Sequence, residues 1–294
     1  HARAGGEAAP RPGGVAAVIE RGRGAIRDLS GPAEIELVAD RPIRGWLGPD
    51  RLELSDGRAI GSVDYRAGRV AIALHEAGEA ARFVVAQRLV PLLVGEALRA
   101  RGRYPIHGAA LADPAGGGIL LLGDSGAGKS TLAYRALDAG YRCVADDGLL
   151  LASAPDGGIL AHAFYREMAI APGLLDEADR AAAAPLEPSE DGAKVRVDLD
   201  PRRLAPAARI DRLVVLRRTD REPSRVAPLF AAEAAAEIYR QHPWIASRAD
   251  LARNHLDFLA KLTRVPSRVT LYTGSDFLQR GCISHLVGEL RSRT

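Results

Sequence analysis
The sequence predicts an α/β domain behind a small β-rich N-terminal domain. Three observations carry that expectation. Between residues 15 and 79, stretches such as EIELVAD, RLELSDG, SVDYRAG and RVAIALHEAG each run into a cluster of turn residues, the pattern of short strands. From residue 117 an apolar run, GGILLLG, breaks into a glycine-rich loop and then into helix-forming residues. Beyond Gly140, strand-like and helix-like segments alternate to the end of the chain.

Residues 1–14 are Gly, Ala, Pro and Arg with a few polar residues, and read as a disordered tail without the apolar core of a secretory signal. Residues 15–79 form the β-rich domain, in which no cluster of residues looks catalytic. Residues 80–294 form the larger domain. It opens with a helix over 80–100, bent at Pro91, which is too polar and too short to span a bilayer. A strand follows at 106–112, IHGAALA, and a turn at DPAGGG leads into a strand at 118–122. The loop 123–128, a helix at 129–139, Gly140 as helix stop and a strand at 141–145 complete a βαβ-type unit. Residues 176–193 are acidic and loop-like. KVRVDL (194–199), RIDRLVVLRR (209–218) and SRVTLYTG (267–274) read as strands. Helices are expected at 231–243, 247–264 and 283–293.

Composition excludes several classes. The 294 residues are 47% hydrophobic and 26% charged, with a net charge of +3. Arg is interleaved with Asp and Glu rather than gathered on one face, which argues against nucleic acid as a partner. No segment is apolar enough for a membrane span. Cys143 and Cys282 lack the spacing of a disulfide framework or a metal site and suit a reducing cytoplasm as buried small hydrophobes. Arginine is the default cation. Lys129, Lys194 and Lys261 are the only lysines, so each invites the question of whether a compact point charge is wanted there.

Gly123-Asp124-Ser125-Gly126-Ala127-Gly128-Lys129-Ser130 matches G-x-x-x-x-G-K-[ST], the phosphate-binding loop. Glycines let backbone N–H groups approach phosphate oxygens without a Cβ clash, and the following helix points its positive end at the same oxygens. Lys129 would bridge the β- and γ-phosphates of ATP, and Ser130, with Thr131 beside it, would stand where Mg²⁺ binds. Asp146 and Asp147 end the strand YRCVA. Ligands of such sheets sit beyond the carboxyl ends of the strands, so the pair is expected to face the nucleotide. One carboxylate can hold Mg²⁺ and the other can take a proton from an attacking hydroxyl.

P-I-H-G at 105–108, GDSGAGKS at 123–130 and V-A-D-D at 144–147 together resemble the HPr kinase/phosphorylase superfamily, whose catalytic fold is similar to that of phosphoenolpyruvate carboxykinase. The resemblance covers about residues 104–151. It implies that Asp146 is the base, His107 supports it, and Asp147 binds Mg²⁺ or acts as a second acid. The chain departs from the bifunctional enzymes at Thr131, where they usually carry Glu, and lacks their glycine-rich second signature. Both departures weigh against HPr as acceptor and against the reverse, phosphorylase reaction. A closer likeness is to the shorter HPr-kinase-like proteins of lasso-peptide gene clusters, through Arg101-Gly102-Arg103, His107, the loop, Gly140-Tyr141-Arg142 and Asp146-Asp147, with FYREMAI, AKVRVDL and IDRLVVLRR further on. That likeness implies transfer from ATP to a serine or threonine hydroxyl of a peptide or protein, a ribosomally made precursor peptide among them, and a homo-oligomer. Arg166 and Lys194 are candidates for a second cation on the transferred phosphoryl group. Two other readings of the same residues stay open: a kinase for a small-molecule hydroxyl, and an ATP-binding regulatory module with little catalysis.

Overall fold
The computed structural model describes residues 16–21, 33, 35–37, 43–57, 59–74, 89–164, 168–186, 194–219, 223–241, 248–279, 285, 288 and 289. They form a mixed α/β protein of several sheets and few helices, divided into two compact units. The tail 1–14, Arg166, Cys282 and most of the helix expected at 283–293 lie outside the described residues.

The first unit takes in His1–Tyr104 and Trp244–His255. Its strands are β1 (Ala16–Arg21), β2 (Ile35–Leu37), β3 (Ile43–Leu47), β4 (Arg51–Ser55), β5 (Ala59–Asp64) and β6 (Arg69–Leu74). They make one sheet in the order β1-β6-β5-β4-β3-β2, with β2 to β6 an antiparallel meander and β1 parallel to β6. Strand β5 buries every second residue, which is what a sheet covered on one face requires. The cover is α1 (Val90–Arg99), whose Leu93 and Ala97 pack with Leu52, Leu54, Val63, Val70 and Ile72. Pro91 stands in the first turn of α1 rather than at a bend, where its missing N–H costs no intrahelical bond. The earlier part of the segment expected as helix, 80–88, is outside the described residues. Arg99 and Glu96 form a buried pair at 2.7 Å, and Tyr65 donates to Glu96 Oε1 at 2.8 Å, so the charge taken into this small core is matched.

The second unit takes in Pro105–Pro243 and Leu256–Thr294. In chain order it contains most of β7 (Arg103–His107), then β8 (Ala109–Ala112), β9 (Gly118–Gly123), α2 (Lys129–Ala136), β10 (Arg142–Ala145), β11 (Gly148–Ser153), β12 (Ile159–Ala163) and β13 (Met168–Ile170). After these come α3 (Glu177–Ala182), β14 (Ala184–Pro185), β15 (Val195–Val197), β16 (Ala207–Ile210), β17 (Arg212–Arg218), β18 (Arg225–Pro228), α4 (Ala231–Arg240), the second half of α5 (Ala249–Leu262) and β19 (Ser267–Thr273). The central sheet has the order β10-β8-β9-β17-β19-β18. Strands β9, β17 and β19 are parallel. Because β10 is antiparallel to β8, and β8 to β9, β10 points the same way as β9. The βαβ unit therefore exists with β8 inserted between its two strands. β9 is buried along its whole length, as a central strand under cover on both faces should be.

Three segments differ from the sequence expectation. The strand expected over 106–112 is two strands, parting at Gly108, with β7 in a four-stranded sheet of order β16-β12-β11-β7 and β8 in the central sheet. A Cβ at Gly108 would lie 2.6 Å from the Leu121 carbonyl oxygen, so the chain changes sheets where it has no side chain. The strand expected over 209–218 likewise splits at Asp211, whose N–H donates to the Gly118 carbonyl and whose carbonyl accepts from Ser267 N–H. Asp211 thus bonds to the starts of β9 and β19, the two neighbours of β17, at the point where the chain passes from β16 to β17. The acidic stretch 176–193 begins as a helix, α3, because Asp176 caps it by accepting from Asp179 N–H at 2.8 Å.

The second unit's core lies between α2 and the central sheet, with Leu132, Ala133, Leu121, Val214 and Leu271 fully or almost fully buried. Gly140 ends the helical stretch in the left-handed region, φ 84°. Tyr141 then enters the core and donates to Asp113 Oδ2 at 2.9 Å, while Arg212 Nη1 donates to the same oxygen at 2.8 Å and Ala115 N–H binds Oδ1 at 2.8 Å. Cys143 is buried beside it, and burial pushes its thiol up to about 12. Among the described residues no helix is long and apolar enough to cross a membrane.

Tyr141→Phe removes one of three donors to the buried Asp113 carboxylate. It is expected to destabilise the protein by about 1–2 kcal/mol, seen as a lower urea midpoint at unchanged slope.

Candidate active site
The C-terminal ends of β9 and β10 open on the same edge of the central sheet. The loop 123–128 leaves from β9, and Asp146 and Asp147 leave from β10. Gly123 at φ 145° and Gly128 at φ 102° are both in conformations that side chains avoid. A Cβ at Gly128 would also meet Phe277 Cε1 at 2.6 Å, so glycine here is required by φ and by the buried ring beneath it. The loop is braced from inside by Ala127 N–H on the Asp124 carbonyl at 3.2 Å and by Thr273 Oγ1 on the Ala127 carbonyl at 3.2 Å. Asp124, Ser125 and Gly126 form its exposed crest. Gly128 caps α2 without any side-chain bond, so the first turn of the helix has no capping side chain.

Lys129 is buried and folds back on the loop, its Nζ donating to the carbonyls of Gly123 at 2.8 Å and Asp124 at 3.1 Å. Burial lowers its pKa, and the nearby carboxylates of Asp147, Asp146 and Asp124 oppose that fall. Ser130 Oγ donates to Asp146 Oδ1 at 3.1 Å. Thr131 is half-buried on the same turn.

The two aspartates have very different surroundings. Asp146 is 1% exposed, and its Oδ2 has no partner at hydrogen-bonding geometry, although the Ala169 N–H lies near enough to ease the charge. Asp146 also lines a small cavity with Cys143, Met168, Leu199 and Leu204. Burial first, and then the neighbouring Asp147 charge, raise the Asp146 carboxyl to about 7. The side chain of Asp147 is 39% exposed and stands 3.8 Å from His107 Nδ1. Asp147 adopts φ 65°, the left-handed region, so the chain turns between a buried carboxylate and a half-exposed one. The pairing is thus the reverse of the one expected. His107 lies against Asp147, not Asp146, and the loop serine reaches Asp146, not Asp147.

His107 ends β7, and its N–H donates to the Gln241 carbonyl at the end of α4 at 3.0 Å. Burial and the Lys129 charge lower its pKa, Asp147 opposes them, and Lys194 adds to the lowering, so the ring is neutral near pH 7. Lys194, just before β15, is half-buried and exerts its charge on both His107 and Lys129. Arg166, the other cation expected here, is outside the described residues. Of the wider sequence pattern, Arg101-Gly102-Arg103 belongs to the first unit, and Gly140-Tyr141-Arg142 is a helix stop, a core side chain and an exposed arginine.

The sequence reading did not single out Arg240. From the last position of α4 its Nη1 donates to Asp124 Oδ1 on the loop crest at 2.7 Å, and its Nη2 pairs with the buried Glu237 carboxylate at 2.5 Å. Glu237 first, then Asp124, hold the guanidinium more basic than usual. Nothing in AAEAAAEIYRQ flags this arginine, because its partner lies more than a hundred positions away in the chain.

The residues fit a nucleotide triphosphate with a divalent cation. The loop 123–128 has the phosphate-binding sequence, the Asp146 Oδ2 lacks a hydrogen-bond partner, and Ser130 Oγ donates to Oδ1 of the same carboxylate. Among the described residues no group of three His, Cys, Asp or Glu could hold a metal. One hydroxyl and one carboxylate are nonetheless enough for Mg²⁺, which keeps several waters and takes the remaining ligands from phosphate.

No family model matches the chain, and no curated protein matches it. Among solved structures, the Hpr(Ser) kinase/phosphatase from Coxiella burnetii is similar over 42% of this chain and 77% of that one, with 15% identity and a TM-score of 0.26. A likeness at that level carries no argument about activity.

The raised Asp146 carboxyl has a consequence for stability. Its pKa rises from 3.8 to about 7 on folding, so the folded state holds a proton that the unfolded state releases. The ligand-free protein should therefore be most stable below about pH 4 with respect to this group, and lose stability as pH rises towards 7, by a few kcal/mol at most. Asp146→Asn, which stays neutral, should raise Tm at pH 8 and flatten this part of the pH profile of thermal unfolding.

Proposed function
We propose that this protein is an ATP- and Mg²⁺-dependent kinase that transfers the γ-phosphoryl group to a serine or threonine hydroxyl of a peptide or protein. The observation that carries this reading is the Ser130–Asp146 contact at the foot of a glycine loop, with the His107–Asp147 pair beside it. A phosphate cradle alone would serve binding. A cradle with a second, half-exposed carboxylate next to a neutral imidazole has what transfer to an alcohol needs.

The roles follow from exposure. Asp146 has no room to meet an acceptor, whereas its buried oxygens adjoin the Ser130 hydroxyl. Ser130 and Asp146 are therefore assigned to the cation, which when bound neutralises the β- and γ-phosphate oxygens. Asp147 faces open space and is assigned to the acceptor, taking the hydroxyl proton as the hydroxyl oxygen bonds to the γ-phosphorus and the bond to the leaving diphosphate breaks. This exchanges the roles that the family resemblance implies. His107, 3.8 Å from Asp147, orients that carboxylate. The separation is long for a hydrogen bond, as catalytic contacts often are before substrate arrives. Lys129 leaves the loop carbonyls to meet the β- and γ-phosphates, and Lys194 adds positive potential beside it. An acceptor that is a ribosomally made precursor peptide suits a half-exposed base open to a flexible chain end.

The reading is tested by incubating the purified chain with ATP, Mg²⁺ and serine-containing peptides, free serine and sugars, followed by mass spectrometry. A gain of one phosphate on a peptide is the expected result, and labelling of the small molecules alone would move the acceptor to another class. ATP binding without transfer to any acceptor would leave a binding module.

Lys129→Ala is expected to abolish transfer. Asp147→Asn should lower kcat by roughly 10²–10⁴ with nucleotide affinity little changed. Asp146→Asn should instead remove the Mg²⁺ dependence of nucleotide binding, measured by titration with and without the metal.

A further inference from the structure
Arg240 is joined to the loop crest on one side and to a buried carboxylate on the other. Its side chain is 53% exposed, that of Asp124 is 66% exposed, and that of Glu237 is 3% exposed. Glu237 is fixed further by Gln241 Nε2, which donates to Glu237 Oε1 at 2.9 Å. The guanidinium thus has one anchored nitrogen and one nitrogen held only by an exposed surface acid. An arginine whose sole task was to brace the loop would gain little there, since an exposed pair is screened by water.

The position is informative because Asp124 is touched by two cations. Lys129 Nζ donates to its backbone carbonyl and Arg240 Nη1 to its carboxylate. Lys129, which also donates to the Gly123 carbonyl, and Arg240 thus meet at the start of the phosphate-binding loop. On its other flank, the residue after Arg240 accepts the His107 N–H through its carbonyl. Arg240 therefore stands between the loop crest and the backbone bond that holds His107.

Resting on the kinase reading above, we propose that Arg240 binds the γ-phosphoryl group of the triphosphate, and that Asp124 holds it in store until the nucleotide arrives. A triphosphate carries more charge than one carboxylate, and its terminal oxygens accept charge-assisted hydrogen bonds, so it displaces Asp124 from Nη1 while Glu237 keeps Nη2. A diphosphate ends short of this position and leaves the Arg240–Asp124 pair closed. Arg240 then serves as the site's means of telling ATP from ADP, which favours loading with the phosphoryl donor and release of the spent product.

The test needs no acceptor. Binding of ADP and of the non-hydrolysable imido analogue of ATP, each with Mg²⁺, is measured by calorimetry for the full chain and its variants. In the wild type the triphosphate should bind more tightly than ADP. Arg240→Ala should weaken the triphosphate by about 10- to 100-fold, the range for a hydrogen bond to a charged group, and change ADP by no more than about twofold. Arg240→Lys, which keeps the charge but not a separate nitrogen for Glu237, should restore part of the difference. Asp124→Asn opens the store without touching α4, and should widen the preference for triphosphate, which guards against a fold defect in the arginine variants. Equal losses for both nucleotides, or an unchanged ratio in Arg240→Ala and Asp124→Asn alike, would overturn this role and leave the kinase reading standing. A wild-type chain that binds neither nucleotide would sink both.

Discussion
The site depends on a carboxylate that folding places where it is poorly accommodated. Asp146 lies at the bottom of the edge between β10 and α2, out of water, with one oxygen on the Ser130 hydroxyl and the other unmatched. Other buried acids in the same unit are treated differently. Asp113 receives Tyr141, Arg212 and the Ala115 N–H, and Asp179 receives Tyr134 and Arg203 on one oxygen, each at 2.6 Å. In both, a tyrosine and an arginine supply the donors that solvent would have given. Asp146 has neither. The same unit also satisfies the buried Glu237, through Arg240 and Gln241, yet leaves Asp146 short of positive charge beside a glycine cradle. A bound cation is the partner that would complete it.

Backbone conformation divides the labour between neighbours. In an extended strand, consecutive side chains already alternate faces, but both would still follow the ladder. The left-handed turn at Asp147 ends the ladder and swings that carboxylate out towards His107, and the Gly148 N–H closes the turn on the Asp146 carbonyl at 2.8 Å. Holding a residue other than glycine in that region costs on the order of 1 kcal/mol or more, and such strain gathers at functional sites. What it secures is one acid kept dry and one kept within reach of solvent, separated by a single peptide.

Electrostatics then bind the parts together. Lys129 is pulled in opposite directions by burial and by three carboxylates, and its charge adds to burial, the larger cause, in lowering the His107 pKa. Charge at any one of these groups alters the others, so the site is better regarded as one coupled unit than as a set of separate roles. Arg240 joins this unit from outside the loop, through an exposed acid.

The motif residues were legible in the sequence because they are local. Glycines at fixed offsets, a lysine and a hydroxyl after them, and an apolar strand before them specify the loop from 123 to 131 within a few turns of chain, and the left-handed stop at Gly140 is equally local. The splits at Gly108 and Asp211 were hidden, because each arises where the chain meets a distant backbone group, Leu121 in one case and Gly118 and Ser267 in the other. The helix at Glu177–Ala182 was masked by acidic residues that read as loop until Asp176 is seen as a cap and Asp179 as the partner of Tyr134 and Arg203. Sequence alone determined which residue types gather at the sheet edge, since strand direction and motif spacing require it. Only the tertiary structure decided which aspartate is dry, which one histidine faces, and that an arginine from a remote helix stands at the loop, because burial and contact are properties of the packed chain and not of neighbours along it.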